Sequence, residues 1–387
     1  MKKLFNNLIF KLVLGVIIGI LIGSYASKPA IGVVITIKYV LGQIIFFAVP
    51  LIILGFITPS IAKLKQNASK FVGITVLIAY ISSVAAAFLS MVAGYALIPK
   101  LSIASNPEGL KKLPELVFKL DIPPIMSVMS ALALALLLGL ATGWTNSDLI
   151  EKILDQFQNI ILSIVNKVII PILPFFIATN FAALAYEGSL STQLPIFLKV
   201  IIIVLIGHFI WLTVLYLVGG AISKENPWEV LKHYGPAYLT AVGTMSSAAT
   251  LPVALKSAKK SKVLREDIVD FAIPLCSNIH LCGSVLTEVF FVMTVSQILY
   301  GKIPDFSTML LFILLLGIFA IGAPGVPGGT VMASLGLIIS VLAFNEAGTA
   351  LILTIFALQD SFGTACNVTG DGAIALMLTG IAKKKNL

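Results

Sequence analysis

Charge is scarce in this sequence. Only 11% of its 387 residues are Asp, Glu, Lys or Arg, against roughly 25% in soluble domains. Hydrophobic residues make up 58%, and mean hydropathy is +1.05. Such a chain is not an ordinary soluble enzyme; it needs lipid as its solvent. Arginine is almost missing: of the 26 basic residues, 25 are lysine and one is Arg265. Cysteine is sparse too. Cys276, Cys282 and Cys366 are odd in number, lie in apolar segments and form no CxxC pair, which suggests neither a disulfide framework nor a thiolate metal centre. Neither an HExxH zinc-protease motif nor a GxSxG serine motif occurs.

Apolar runs are what the chain does have. Six precede residue 225, at about Leu8–Tyr25, Ile31–Ile61, Phe71–Ile98, Ile122–Thr142, Leu149–Tyr186 and Leu194–Ile222. The first follows Lys2 and Lys3 as a signal peptide would, but it has no small-x-small cleavage site and reads as an uncleaved helix. Ile31–Ile61 and Leu149–Tyr186 exceed the ~20 residues a span needs, so both are expected to tilt or to extend beyond the bilayer. The net charge of +9 then reads as orientation charge rather than a nucleic-acid signal. With a cytoplasmic N-terminus, Lys63, Lys65, Lys70, Lys152 and Lys224 fall inside, with the cluster from Lys256 to Arg265 and the terminal Lys383, Lys384 and Lys385. Lys28, Lys100, Lys111, Lys112, Lys119 and Lys302 fall outside, several of them beside Glu108, Glu115 and Asp121. The bias has the right sign only if the C-terminus is cytoplasmic as well.

That parity constrains the second half. Trp228–Leu255 begins and ends on the basic side and is broken at Thr244–Thr250 (TMSSAAT), so it is expected to be a re-entrant hairpin. A second apolar segment, between Tyr300 and Glu346, is broken by Gly322–Gly329 (GAPGVPGG) and is expected to return to the outer face. Gly and Pro at this density cannot continue a helix, and bare backbone at membrane depth is tolerated only inside protein or beside water. Between the hairpins, Asp267–Tyr300 carries Pro274 and the polar patch Cys276–Ser284, where local unwinding would expose carbonyl oxygens. Gly348–Ile381 completes an all-α polytopic membrane protein of eight transmembrane helices and two opposed re-entrant hairpins. Interrupted helices meeting hairpin tips near the midplane have the logic of an inverted-repeat carrier.

The acids that stay inside are the functional candidates, because a buried carboxylate is costly unless paired or hydrated. Asp360, Thr364, Asn367 and Asp371 stand at i, i+4, i+7 and i+11, within about 60° of one another around a helix. An oxygen-only stripe suits a hard cation such as Na⁺ better than zinc or copper. The alternative is a polar seam packed against neighbouring helices. His280 is open to three readings: a packed neutral side chain, a proton carrier, or, with Cys282, part of an incomplete metal site. Asp270 reads as a cap or a solvated acid, Glu288 as a seam residue or a proton site, and His208 as a satisfied core histidine.

Thr244–Pro252 (TMSSAATLP), Pro274–Ser284 (PLCSNIHLCGS), Gly322–Gly329 and Asp360–Asp371 (DSFGTACNVTGD) resemble, in order and spacing, the signature regions of the dicarboxylate/amino acid:cation symporters. The resemblance covers nearly the whole chain, and the NVTGD run is its most specific part. It implies a homotrimer in the plasma (cytoplasmic) membrane working as an elevator. Residues 1–387 would form one membrane domain, with a scaffold of about 1–70 and 122–190 and a moving part of about 71–98 and 194–382. Carried over, Ser246 and Ser247 match serines at the substrate carboxylate, Asp360 the partner of the substrate amino group, and Thr364 and Asn367 polar substrate contacts. Asp371 matches a sodium-binding carboxylate, helped by carbonyls near Ser277, His280 and Asn367. Val326, Pro327 and Gly328 match the tip of the outer gate, and Ser82 and Ser83 a hydroxyl pair at the deepest sodium site.

Departures from the pattern narrow the function. Where the family has Asn-Met-Asp-Gly-Thr, this chain has His280-Leu281-Cys282-Gly283-Ser284, so fewer sodium ions, or a proton at His280, are implied to drive transport. Gly363 stands where acidic-substrate carriers have an arginine, and Met245 replaces an arginine of the first hairpin. Independently of the family, the single Arg265 lies in a basic loop, so no bidentate partner for a second carboxylate exists within the membrane. The expected function is Na⁺-coupled uptake of a small neutral amino acid, with H⁺ as an added or alternative ion; no organic cofactor and no nucleic acid are expected. Carriage of a C4-dicarboxylate or acidic amino acid is the alternative. A channel would not need two opposed gates. An aspartyl protease is excluded by the ~16 Å rise between Asp360 and Asp371, at about 1.5 Å per residue.

Overall fold

The structure is a computed structural model that describes residues 8–66, 70–101, 103, 111–145 and 147–385. Lys2, Lys3 and Glu108, and the side chains of Lys63, Lys65, Lys70 and Lys385, lie outside the described residues. Every regular element among the described residues is helical. The first helices are α1 (Leu8–Tyr25), α2 (Lys28–Gln66) and α3 (Lys70–Leu97). Residues 111–127 run without helix, and α4 (Val128–Thr145) begins later than the hydropathy suggests, beyond the Pro123-Pro124 pair, which disfavours helix in the residues before it. The long run after it is divided: α5 (Asp148–Ile164) passes through one π turn (Val165–Ile169) into α6 (Ile170–Glu187). The extra residue in that turn falls just before Pro171 and Pro174, which lack the N–H groups a regular ladder needs. Helix α7 (Leu190–Ser223) follows.

The second half is interrupted where the sequence indicates. After a single turn, α8 (Trp228–Leu231), helices α9 (Gly235–Thr244) and α10 (Ser247–Ala258) fold back on each other around Met245 and Ser246. Helices α11 (Glu266–Ile279) and α12 (Cys282–Tyr300) are separated by His280 and Leu281, both in non-helical conformation. Helices α13 (Phe306–Gly322) and α14 (Gly329–Ser340) flank the Pro-Gly break, and α15 (Glu346–Lys385) ends the described chain. Seven helical segments among the described residues are long and apolar enough to cross a membrane, with α4, α13 and α14 as shorter apolar helices.

Packing sorts these helices into two groups. α1 lies along α6, and α2 contacts α4, α5 and α6. The α1–α6 contact depends on Gly15, Gly19 and Gly23: a Cβ at Gly19 would stand 2.2 Å from the carbonyl oxygen of Ala178. The other group gathers around α12 and α15, which pack on each other and on α3, α7, α9 and α11. Each residue from Cys282 to Ser296 is buried, whereas α1 buries only Leu12 and its three glycines. The last helices are therefore surrounded by protein on every face, which lets them carry polar side chains.

Candidate functional site

The breaks in three helices converge on the middle of α15. Met245 and Ser247 from the first turn-back, Leu281 and Ser284 from the α11–α12 break, and Pro324, Gly325, Val326 and Thr330 from the second turn-back surround Asp360, Thr364 and Asn367. The space they enclose is about 10 Å³, room for roughly one water. None of the described residues lining it is cationic.

Local sequence dictates how each part is held. Ser246 has extended backbone and caps α10: its Oγ accepts the Ala249 N–H (3.2 Å) and donates to the Gly325 carbonyl (2.6 Å), tying one turn-back to the other. Gly328 takes the left-handed conformation (φ +71°) needed to start α14 after Pro327, and its N–H donates to Asp360 Oδ2 at 2.7 Å. A Cβ on Gly329 would lie 2.0 Å from the Pro324 carbonyl oxygen, so only glycine fits that approach. The Asp360 carboxylate thus accepts from a helix N-terminus, where negative charge is stabilised.

The polar stripe of α15 divides in two. Asp360, Thr364 and Asn367 line the small cavity; Asp371, one turn further, does not. Asp371 Oδ1 instead bonds His280 Nδ1 at 2.9 Å, and His280 Nε2 bonds Ser82 Oγ on α3 at 2.8 Å. Both members of the His280–Asp371 pair are buried. Ser83 is buried beside Ser82 in sequence, its Oγ without a hydrogen-bond partner. Asn367 is engaged on both sides of its amide: Oδ1 accepts from Gly283 N (2.7 Å) and Ser284 N (3.2 Å), and Nδ2 donates to Ser284 Oγ (2.9 Å). It serves as the cap of α12 that Leu281, having no suitable side chain, cannot provide. Ser277 Oγ donates back to the Pro274 carbonyl, while a Cβ on Gly325 would sit 3.5 Å from the Ser277 carbonyl oxygen.

Other expected residues sit at the edge. Gly363 does not line the cavity; a Cβ there would meet Ser284 at 3.4 Å. Pro327 is half-buried and outside the lining, whereas Val326 belongs to it. His208 is buried with Nε2 bonded to Gly283 O and Thr287 Oγ1, but its Nδ1 has no partner, so it is only partly satisfied. Glu288 on α12 accepts from Ser334 on α14, which links the broken helix to the second turn-back. Asp270 is paired with Lys259 at 2.7 Å, and that bond raises the lysine's pKa. Met245, Leu281, Ser284, Pro324 and Thr330 are lining residues to which the sequence reading assigned no contact with the substrate.

A larger cavity, about 950 Å³, adjoins the site at Gly325 and Val326. It runs between Ser60 on α2, Gln158 and Asn159 on α5, and Asp270 and Asn278 on α11. Asp270, one of its lining residues, is the partner of Lys259.

Together these features define a multi-pass helical membrane protein with a polar site enclosed between helix breaks. The comparison with known proteins gives its family: residues 8–381 match the sodium:dicarboxylate symporter family, and the chain belongs to it. That family is one of transporters, not enzymes. Among its relatives, excitatory amino acid transporter 2 of Mus musculus is 25% identical over 299 residues, which is 74% of this chain and 51% of that protein. The Homo sapiens protein of the same name is 25% identical over 268 residues, 67% of this chain and 46% of that one. Excitatory amino acid transporter 1 of Ambystoma tigrinum is 28% identical over 202 residues, 51% of this chain and 36% of that one. The chain spans about half the length of the curated relatives it matches, or less.

Proposed function

We propose that the protein is a cation-coupled symporter for a small neutral amino acid. Membership of a sodium symporter family whose relatives include amino acid transporters supports the reaction class. The observation that carries the choice of substrate is the cavity itself: among the described residues one carboxylate, Asp360, faces it, and no Lys or Arg does. The substrate's ammonium replaces the Gly328 N–H as the donor to Asp360, and its carboxylate takes hydrogen bonds from Ser246 or Ser247 and the backbone of the tips. Thr364 and the Asn367–Ser284 pair orient it. A second carboxylate would arrive without a cation, which disfavours a dicarboxylate or an acidic amino acid by a few kcal/mol.

The coupling ion belongs to the lower half of the stripe. Asp371, with carbonyl oxygens of Ser277, His280 and Asn367, offers the all-oxygen environment that Na⁺ prefers. His280 already holds one Asp371 oxygen and the Ser82 hydroxyl, so a proton carried on this histidine is the second form of coupling. Release is toward the cytoplasm through the larger cavity, whose lining residue Asp270 is paired with Lys259 of the basic segment. In this reading the chain has eight spans, two opposed re-entrant hairpins and both termini in the cytoplasm, in a plasma-membrane homotrimer. Helices α1, α2, α4, α5 and α6 are the static scaffold, and α3 with α7 to α15 moves as an elevator. Two observations test the substrate: thermal stabilisation of purified protein by alanine or serine but not by malate, and loss of that effect in Asp360→Asn. Stabilisation by malate alone would contradict it.

A further inference from the structure

The geometry points to Met245 as the residue that sets the size of substrate side chain the site admits, restricting it to neutral amino acids of alanine or serine size. The inference rests on the amino-acid reading above and refines it.

Met245 ends α9 in the left-handed conformation (φ 53°, ψ 25°), its N–H donating to the Ala241 carbonyl at 2.8 Å. Helices commonly end this way on glycine, because a Cβ makes the conformation costly. Among the described residues two other non-glycine side chains have positive φ, Lys224 and Ala343, and both lie in exposed connections. Met245 is instead 2% exposed, and its neighbours in the cavity wall include Asp360 and Thr364. A strained, buried side chain at a binding site is held there by what surrounds it.

The cavity wall has two characters. Ser247, Ser284, Thr330, Asp360, Thr364 and Asn367 are polar and suit the ammonium and carboxylate groups common to every amino acid. Met245, Leu281, Pro324 and Val326 are apolar and remain for the variable side chain. Pro324 is a fixed ring, Val326 is β-branched, and Leu281 is held in the α11–α12 break. Methionine, unbranched with three rotatable bonds, is the one wall that adjusts without moving backbone. The enclosed space of about 10 Å³ holds about one water, so the turn-backs part to admit a substrate, and the rotamer of this thioether then decides whether more than a methyl or hydroxymethyl group fits beside it. A branched aliphatic side chain needs the methionine shortened.

The test is competitive binding of alanine, serine, valine and leucine to the purified full chain, in wild type, Met245→Gly and Met245→Asn. Both replacements tolerate positive φ, so they retain the turn while shortening the side chain. The leucine-to-alanine affinity ratio is expected to rise about tenfold or more in Met245→Gly, as one or more methylenes of pocket space allow, and to rise in Met245→Asn. Wild-type binding of alanine or serine, together with a smaller change of this ratio in Met245→Gly and none in Met245→Asn, overturns the role of Met245 alone. Wild-type protein that binds none of the four, but binds a dicarboxylate, overturns the amino-acid reading and this inference with it.

Discussion

His280 Nδ1 stands 2.9 Å from Asp371 Oδ1, in a pair that joins the break of one helix to the polar stripe of another while the opposite ring nitrogen holds Ser82 on a third. The pair is buried, so removing one member leaves the other without compensation in a low-dielectric interior. Asp371→Ala is expected to destabilise the protein by roughly 3–5 kcal/mol. The Asp371→Ala/His280→Ala double variant should cost less than the sum of the singles by more than about 1 kcal/mol. A double-mutant cycle on thermal or denaturant unfolding in detergent measures this; additive losses would show that the two side chains do not depend on each other.

Asp360 is held differently, by a backbone N–H. Asp360→Asn preserves size and can still accept from Gly328, so the fold is expected to survive. Binding of a zwitterionic substrate, however, loses its ion pair and should weaken at least tenfold, read by calorimetry on the purified variant. Unchanged affinity would remove Asp360 from the amino-group site.

How much of this was legible beforehand differs between elements. The helix breaks were, because Gly322–Gly329 and Thr244–Thr250 announce themselves by composition, and Asp360 stood out as an acid in an apolar run. Other features depend on residues far apart in the chain. His280 meets Asp371 across 91 positions and Ser82 across 198, so the helical period that aligned Asp371 with Asp360 carried no sign that Asp360 alone of the two lines the cavity. Asn367 read as a ligand from its place on the stripe. The structure spends its amide on the Gly283 and Ser284 N–H groups, a use visible only once α12 is known to begin there. The later start of α4 was readable in principle, since Pro123 and Pro124 mark it.

The close packing of α1 on α6 makes a second kind of prediction. At Gly19 an added Cβ would lie 2.2 Å from a backbone carbonyl oxygen, which cannot step aside as a side chain can. Gly19→Val should therefore force the helices apart and cost about 1–3 kcal/mol, as overpacking does. An exposed apolar neighbour, Ile17, should accept the same replacement without loss. Melting temperatures of the two variants decide it.

A pH effect is expected at the start of α13. Asp305 caps this helix, and hydrogen bonds from Ser307 and Thr308 hold its carboxyl well below the usual range. A depressed folded-state value means the stabilisation is complete above the unfolded aspartate's pKa, about 3.9, and is lost as pH falls through the folded-state value. Asp305→Ala should thus melt earlier than wild type at pH 7, with the gap closing in strongly acidic buffer. A gap that is constant with pH would mean that the cap contributes nothing through its charge.

Uptake into liposomes reconstituted with the purified protein tests the central claim most directly, with the sodium gradient and the pH gradient imposed separately. The account predicts accumulation of alanine or serine driven by at least one of the two gradients, and abolished in Asp360→Asn. Accumulation of malate or aspartate in place of neutral amino acids, or uptake indifferent to both gradients, would contradict it.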